Sequence, residues 1–100
     1  MKIEITQTEE GVILSLVGVL KKAEAIEAGD QIAKIARQKP KKLALDCSQL
    51  AALSLDSAPF LVSALERARL GKNNVRAFGC NSVVERTLRG ADFERVGILE

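Results

Sequence analysis

The spacing of apolar residues changes several times along this chain, and that alternation constrains the fold more tightly than any one motif. The opening run Lys2-Ile-Glu-Ile-Thr6 alternates polar and apolar side chains, as Val12 to Val19 does more loosely, with Gly11 at a turn between them. A period of two places successive side chains on opposite faces of a pleated strand, so two neighbouring strands are predicted. From about Lys22 the interval lengthens. Ile26, Gly29, Ile32, Ala33, Ile35 and Ala36 recur at helical spacing, while Glu24, Glu27, Asp30, Lys34 and Arg37 occupy the other positions. This helix must stop before Pro40, whose ring and missing N–H are incompatible with a helix interior.

Further on, Leu43 to Asp46 reads as a short buried strand, Phe60 to Leu70 as an amphipathic helix closed by Gly71, and Asn74 to Phe78 as another strand. The long connection from Asp46 to Asn74 suits a right-handed strand-helix-strand crossover. Ser82 is placed to cap a third helix, with Glu85 at capping-box spacing and Gly90 as the stop, and Val96 to Leu99 supplies a last strand. Two strands followed by alternating helices and strands predict an α/β domain, a mixed sheet covered by about three main helices. Its expected core is Val12, Leu14, Leu16, Ile32, Leu43, Leu45, Leu61, Leu65, Val75, Val84 and Leu88.

At 100 residues the chain is too short for two adequate cores, so residues 1–100 are expected to form one domain. With 47% hydrophobic residues it has enough apolar surface to fold unaided. A net charge of +2 and the lack of Trp and Tyr leave neither a basic footprint nor a stacking platform for nucleic acid. Charge near the N-terminus, and no apolar run approaching ~20 residues, argue against a signal peptide or a membrane span, and a cytoplasmic location is expected.

The inventory also restricts the chemistry. There is no histidine, which removes the ordinary Ser-His and Cys-His pairs and the commonest metal ligand. Gly71-Lys72 and Gly79-Cys80 lack the other residues of a phosphate-cradling loop. The expectation is a non-enzymatic protein with no catalytic residues, no cofactor and no metal. Asp46 and Asp56 read as loop and capping residues rather than an acid/base pair. Arg37, Lys39, Lys41 and Lys42 read as a solvated basic loop. Cys47 and Cys80 read as small apolar side chains that remain reduced; each follows a predicted strand, so the two can approach one another at one edge of the sheet.

The remaining feature is Leu53-Ser-Leu-Asp56-Ser57-Ala-Pro-Phe-Leu61, which brings a hydroxyl flanked by a carboxylate to the mouth of a predicted helix. Read locally, either side chain serves as a helix cap contributing about 1 kcal/mol. Read with the whole chain, the leading strand pair ending near Gly18, the strand ending in Asp46, the loop to Asp56-Ser57, the strand running to Gly79 and the short helix before Gly90 resemble the STAS domain of anti-sigma factor antagonists.

That resemblance implies a binding module switched by phosphorylation at Ser57. Its implied partners are a Ser/Thr kinase that is also an anti-sigma factor and a phosphatase. Leu55, Asp56, Ser57, Ala58, Pro59 and Val62 would form the contact, with Gly79-Cys80-Asn81-Ser82 beside it. The Ser57 hydroxyl is accordingly expected on the outside of the domain. A phosphate there adds about −1.5 to −2 charge. The helix macrodipole favours this anion and Asp56 repels it, so the switch is expected to act on binding, and Ser57→Asp is expected to leave stability nearly unchanged. Pro59 stands where many antagonists have Gly; it is expected to push Ala58 toward an extended conformation and to delay the helix by one or two residues. The same sequence is similar to two other STAS settings. One is the accessory subunit of bacterial phospholipid-transport ABC complexes, which contacts an ABC transporter ATPase subunit; the other is a stressosome-type scaffold. In both, Ser57 would be a cap or a docking residue.

Overall fold

The computed structural model describes residues 2–100 and contains the expected series of elements with one strand added. Strands β1 (Lys2–Gln7) and β2 (Val12–Leu20) precede helix α1 (Lys22–Arg37). Strands β3 (Leu43–Asp46) and β4 (Leu50–Leu53), helix α2 (Ala58–Ala68), strand β5 (Val75–Phe78), helix α3 (Ser82–Gly90) and strand β6 (Ile98–Leu99) follow. The sheet order is β1-β2-β3-β5-β6, with β4 paired to β2 off this path. β1 runs antiparallel to β2 and every other pairing is parallel, so the sheet is mixed.

Besides β1, β2 serves two parallel partners. Its first half, Val12 to Ser15, lies against β3, and Gly18 to Leu20 lie against β4 across a register shift. The change of partner occurs at Gly18, whose φ of 101° suits a residue without Cβ. β4 was not anticipated; the stretch from Asp46 to Asp56 reads in sequence as a loop. Leu50-Ala-Ala-Leu53 is short and half alanine, a weak strand former, and its pairing comes from a distant segment.

All eleven residues expected in the core are buried. Leu14, Leu16, Leu43, Leu45 and Val75 of the sheet share one cluster with Ile32 of α1, Leu61 and Leu65 of α2, and Val84 and Leu88 of α3. Phe93, in a 3₁₀ turn after α3, is fully buried as well. α1 and α2 approach closely where Gly29 meets Ala64: a Cβ built at Gly29 would lie 3.4 Å from the Ala64 methyl.

The helix termini differ from expectation in two places. α2 begins at Ala58, earlier than Pro59 suggested, and Ala58 is helical rather than extended. Proline in the first turn sacrifices no helical hydrogen bond, because N–H groups there have no partner within the helix. The turn before it is already wound, with the N–H groups of Ser57 and Ala58 both donating to the Ser54 carbonyl at 3.1 and 3.4 Å. The far end stops at Arg69 in the left-handed region, φ 53°, two residues short of Gly71. At α3 the cap is Asn81 rather than Ser82: the Asn81 side-chain oxygen accepts the Val84 N–H at 2.9 Å.

Candidate functional site

The parallel strands β3, β4 and β5 deliver their following loops to one end of the sheet, the usual place for function in such folds. The turn from β4 into α2 is built by three short polar side chains. The Ser54 N–H donates to the Leu20 carbonyl at the end of β2 (3.0 Å), anchoring the turn to the sheet. The Ser54 hydroxyl donates to Asp56 Oδ1 (2.7 Å). The Ser57 hydroxyl donates back to the Ser54 carbonyl (2.7 Å) and lies 3.3 Å from the Leu20 carbonyl.

Ser57 is therefore an inward-facing residue with 0% exposure, and the expectation of an accessible hydroxyl is not met. The reason lies in helical phase. Ser57 is four residues before Leu61, hence on the same face as the buried Leu61 and Leu65. Ala58 and Val62, expected to shape a contact, are turned inward by the same geometry. Neither Asp56 nor Ser57 caps α2 through its side chain. Having donated its proton to a carbonyl, Ser57 closes the turn instead.

Outside, the exposed Asp56 is flanked by apolar side chains. Leu55 is 82% exposed, and Pro59 and Phe60 are exposed beside it. Lys22 Nζ sits 5.5 Å from the centre of the Phe60 ring, a cation–π distance. On the other side α3 presents Val83, 57% exposed, and Arg86. An open cavity of about 230 Å³ lies between α2 and α3, lined by Leu55, Pro59, Arg86, Thr87, Gly90 and Ala91. Arg89 pairs with Glu85 and Glu94, whereas Arg86 pairs with no carboxylate among the described residues. Sequence reasoning missed Phe60, Val83 and Arg86. The signal for the first was present, since residues one position before Leu61 and two before Val62 fall off the buried stripe.

The loop expected beside this surface contributes through Asn81, whose amide donates to the Leu50 and Ala51 carbonyls at 3.3 and 3.2 Å and ties α3 to β4. Asp46 and Asp56 do not act as a pair. Asp46 accepts from the Ser48 hydroxyl (2.6 Å), the Ser48 N–H (3.0 Å) and the Ser15 hydroxyl (3.4 Å), whereas Asp56 accepts from Ser54. The Ser48 hydroxyl contributes most to holding the Asp46 carboxyl below its ordinary value; partial burial opposes it. No group of three or more His, Cys, Asp or Glu side chains among the described residues is arranged to hold a metal ion. None of the described helices is long and apolar enough to cross a membrane.

This architecture and the Asp56-Ser57 turn define a class, and comparison identifies it. The family model described as "Mlab, STAS domain" matches residues 3–100, so the chain belongs to the STAS domain family. Among solved structures it is similar to an anti-sigma factor antagonist from Mycobacterium paratuberculosis, with 16% identity and a TM-score of 0.81 over 98% of this chain and 83% of that one. The anti-sigma factor antagonist SpoIIAA in its unphosphorylated form gives 10% identity and a TM-score of 0.78, covering 99% and 88% of the two chains. Bacillus SpoIIAA in its phosphorylated form gives 9% and 0.72, covering 99% and 91%. At these identities the likeness concerns the fold. No curated protein matches the chain in sequence.

Proposed function

We propose that this protein is a non-enzymatic regulatory docking subunit whose protein partner seats on Leu55, Pro59 and Phe60, with Val83 and Arg86 completing the surface. The single observation that carries this reading is the division at the β4–α2 turn: Ser57 is sealed inside while its neighbour Leu55 is 82% exposed. A leucine so exposed on a turn fixed by backbone hydrogen bonds gains about 1.5–3 kcal/mol when a partner covers it. Little ordering entropy is lost in doing so, because the turn is already formed. The unpaired Arg86 at the cavity rim suits a carboxylate on the partner.

The match to a family model of Mlab type favours the accessory-subunit setting, with an ABC transporter ATPase subunit as the partner and Ser57 as a structural residue. Placing a photo-crosslinking residue at position 55 and identifying the adduct from the native cell tests this directly. An ATPase subunit of a transporter is the expected adduct; a kinase-type anti-sigma factor would overturn the setting.

A second reading, phosphorylation of Ser57 by an anti-sigma kinase and its reversal by a phosphatase, is supported by similarity to a fold solved in both unphosphorylated and phosphorylated forms. In this chain it requires the first turn of α2 to open, breaking the Ser57–Ser54 hydrogen bond, before a kinase reaches the hydroxyl. Intact-mass measurement after incubation with the candidate kinase and ATP distinguishes the readings: a gain of one phosphate on Ser57 supports the switch, and an unchanged mass supports the docking subunit.

A further inference from the structure

The two cysteines lie 33 positions apart in sequence and sit at the same end of the sheet as the β4–α2 turn. β3 and β5 are parallel neighbours in register from Leu43↔Val75 to Asp46↔Phe78. One step beyond the last pair, the Cys47 N–H donates to the Phe78 carbonyl at 2.9 Å. The chain then turns at Gly79, φ 75°, where a Cβ would come within 2.9 Å of Ser48 Cβ. Only glycine permits this close passage, and it brings Cys80 back toward β3. Cys80 thereby packs against the core cluster that contains Cys47.

Their environments are unequal. Cys47 is buried in the core cluster, whereas Cys80 is half-buried at the cluster's margin. The neighbouring Cys80 thiol, together with burial, pushes the Cys47 thiol up, and the neighbouring Cys47 thiol holds the Cys80 thiol down against partial burial and the nearby Glu85 carboxylate. An outer, half-buried thiol that ionises more readily than its buried neighbour is the asymmetry of an attacking and a resolving cysteine.

We infer that Cys47 and Cys80 form a redox-active dithiol that closes to an intramolecular disulfide by exchange with a small-molecule disulfide such as oxidised glutathione. The Cys80 thiolate attacks one sulfur of the oxidant, breaking its S–S bond, forming a mixed disulfide and releasing one glutathione thiolate. Cys47 then loses its proton to water or the released thiolate and attacks Cys80 Sγ, expelling the second glutathione. Two protein thiols are oxidised by two electrons, one S–S bond is made for the one broken, and two molecules of reduced glutathione result. The new bond joins the end of β3 to the residue directly before Asn81, the cap that fastens α3 to β4. This chemistry does not depend on the docking proposal.

The test uses the reduced wild-type protein equilibrated in glutathione buffers of increasing oxidised fraction, acid-quenched and weighed intact. A mass about 2 Da lower and a non-reducing peptide joining Cys47 to Cys80 are expected, with both thiols lost together. Cys47→Ala should hold one glutathione on Cys80, and Cys80→Ala should resist oxidation. A wild-type protein that retains a stable glutathione adduct, that cross-links between chains, or that keeps both thiols free through the whole range would overturn the proposal; none of these readouts depends on the variants folding.

Discussion

The starts of α2 and α3 use small polar residues in opposite ways. At α3, the Asn81 side chain faces forward, its oxygen taking the Val84 N–H and its amide reaching across to two carbonyls of β4, so the helix is fastened at its first turn. At α2, Ser57 faces backward and donates to the Ser54 carbonyl, leaving the first turn without a side-chain cap. The polar side chain closes the turn from inside, and the surface above it carries Leu55, Pro59 and Phe60 beside Asp56. One helix start is committed to internal architecture. The other keeps the Ser57 hydroxyl hidden and presents apolar area beside Asp56, an arrangement that suits a docking surface.

The strongest way to break this contrast is to place a charge at the hidden position. Ser57→Asp would bury a carboxylate beside the carbonyls of Ser54 and Leu20, both of them acceptors. A buried charge with no donor costs about 3 kcal/mol or more, so the variant should lose most of a small domain's stability in a urea titration. The resemblance to phosphorylated antagonists led to the opposite expectation, near-unchanged stability, and burial reverses it. Ser57→Ala is the milder companion. The Ser54 carbonyl keeps the N–H groups of Ser57 and Ala58, and the Leu20 carbonyl keeps that of Ser54. Since neither acceptor is orphaned, a loss of about 1 kcal/mol with partner binding intact is expected. If Ser57→Asp melts with the wild type, the residue is not sealed in solution.

Next in size is the fastened helix. Asn81→Ala removes the cap and both hydrogen bonds to β4, and should cost about 1–2 kcal/mol by the same titration. Amide exchange should rise in the first turn of α3 and in β4 while α2 keeps its protection. Uniform loss of protection would show that the two helix starts are not independent.

These elements differ in how far they can be read from sequence, for physical reasons. β2 and α1 declare themselves because their own side chains carry a period, and the expected core is buried residue for residue. β4 does not, because a four-residue segment containing two alanines becomes a strand only when β2 bends at Gly18 to meet it. Phe93 is equally silent: its burial follows from a single 3₁₀ turn with no period to extend. The inward direction of Ser57, by contrast, was legible. Extending the Leu61–Leu65 stripe back by one turn lands on it, whereas the resemblance to a phosphorylated family points the hydroxyl outward. Whether the two cysteines meet depends on strand order and on the turn at Gly79, neither of which leaves a local mark.

The outward half of the α2 start should affect binding without affecting folding. Leu55 makes no part of the core cluster, so Leu55→Asp is expected to change stability by no more than about 0.5 kcal/mol. Its affinity for the partner should fall at least about tenfold, as for a central apolar anchor. Titration calorimetry beside a thermal melt separates the two quantities. Unchanged affinity with unchanged stability would move the docking surface elsewhere.

The smallest effect concerns Asp46, at the same end of the sheet but in neither helix start. Ionised, it accepts from two hydroxyls and one N–H, and those donors hold its pKa below the ordinary 3.8. A carboxyl that is more acidic folded than unfolded stabilises the native state fully above the unfolded value. That contribution is lost as the pH falls from about 3.8 through the lower folded value. Urea titrations of the wild type between pH 7 and pH 3 should therefore show a decline at the acid end that Asp46→Asn lacks. Because Asn81 and Ser57 are uncharged, Asn81→Ala and Ser57→Ala should follow the wild-type curve with a constant offset. An acid decline that survives in Asp46→Asn would assign it to other carboxylates, and a changed slope in Asn81→Ala would mean that the cap of α3 and the Asp46 turn are coupled through the strand ends they share.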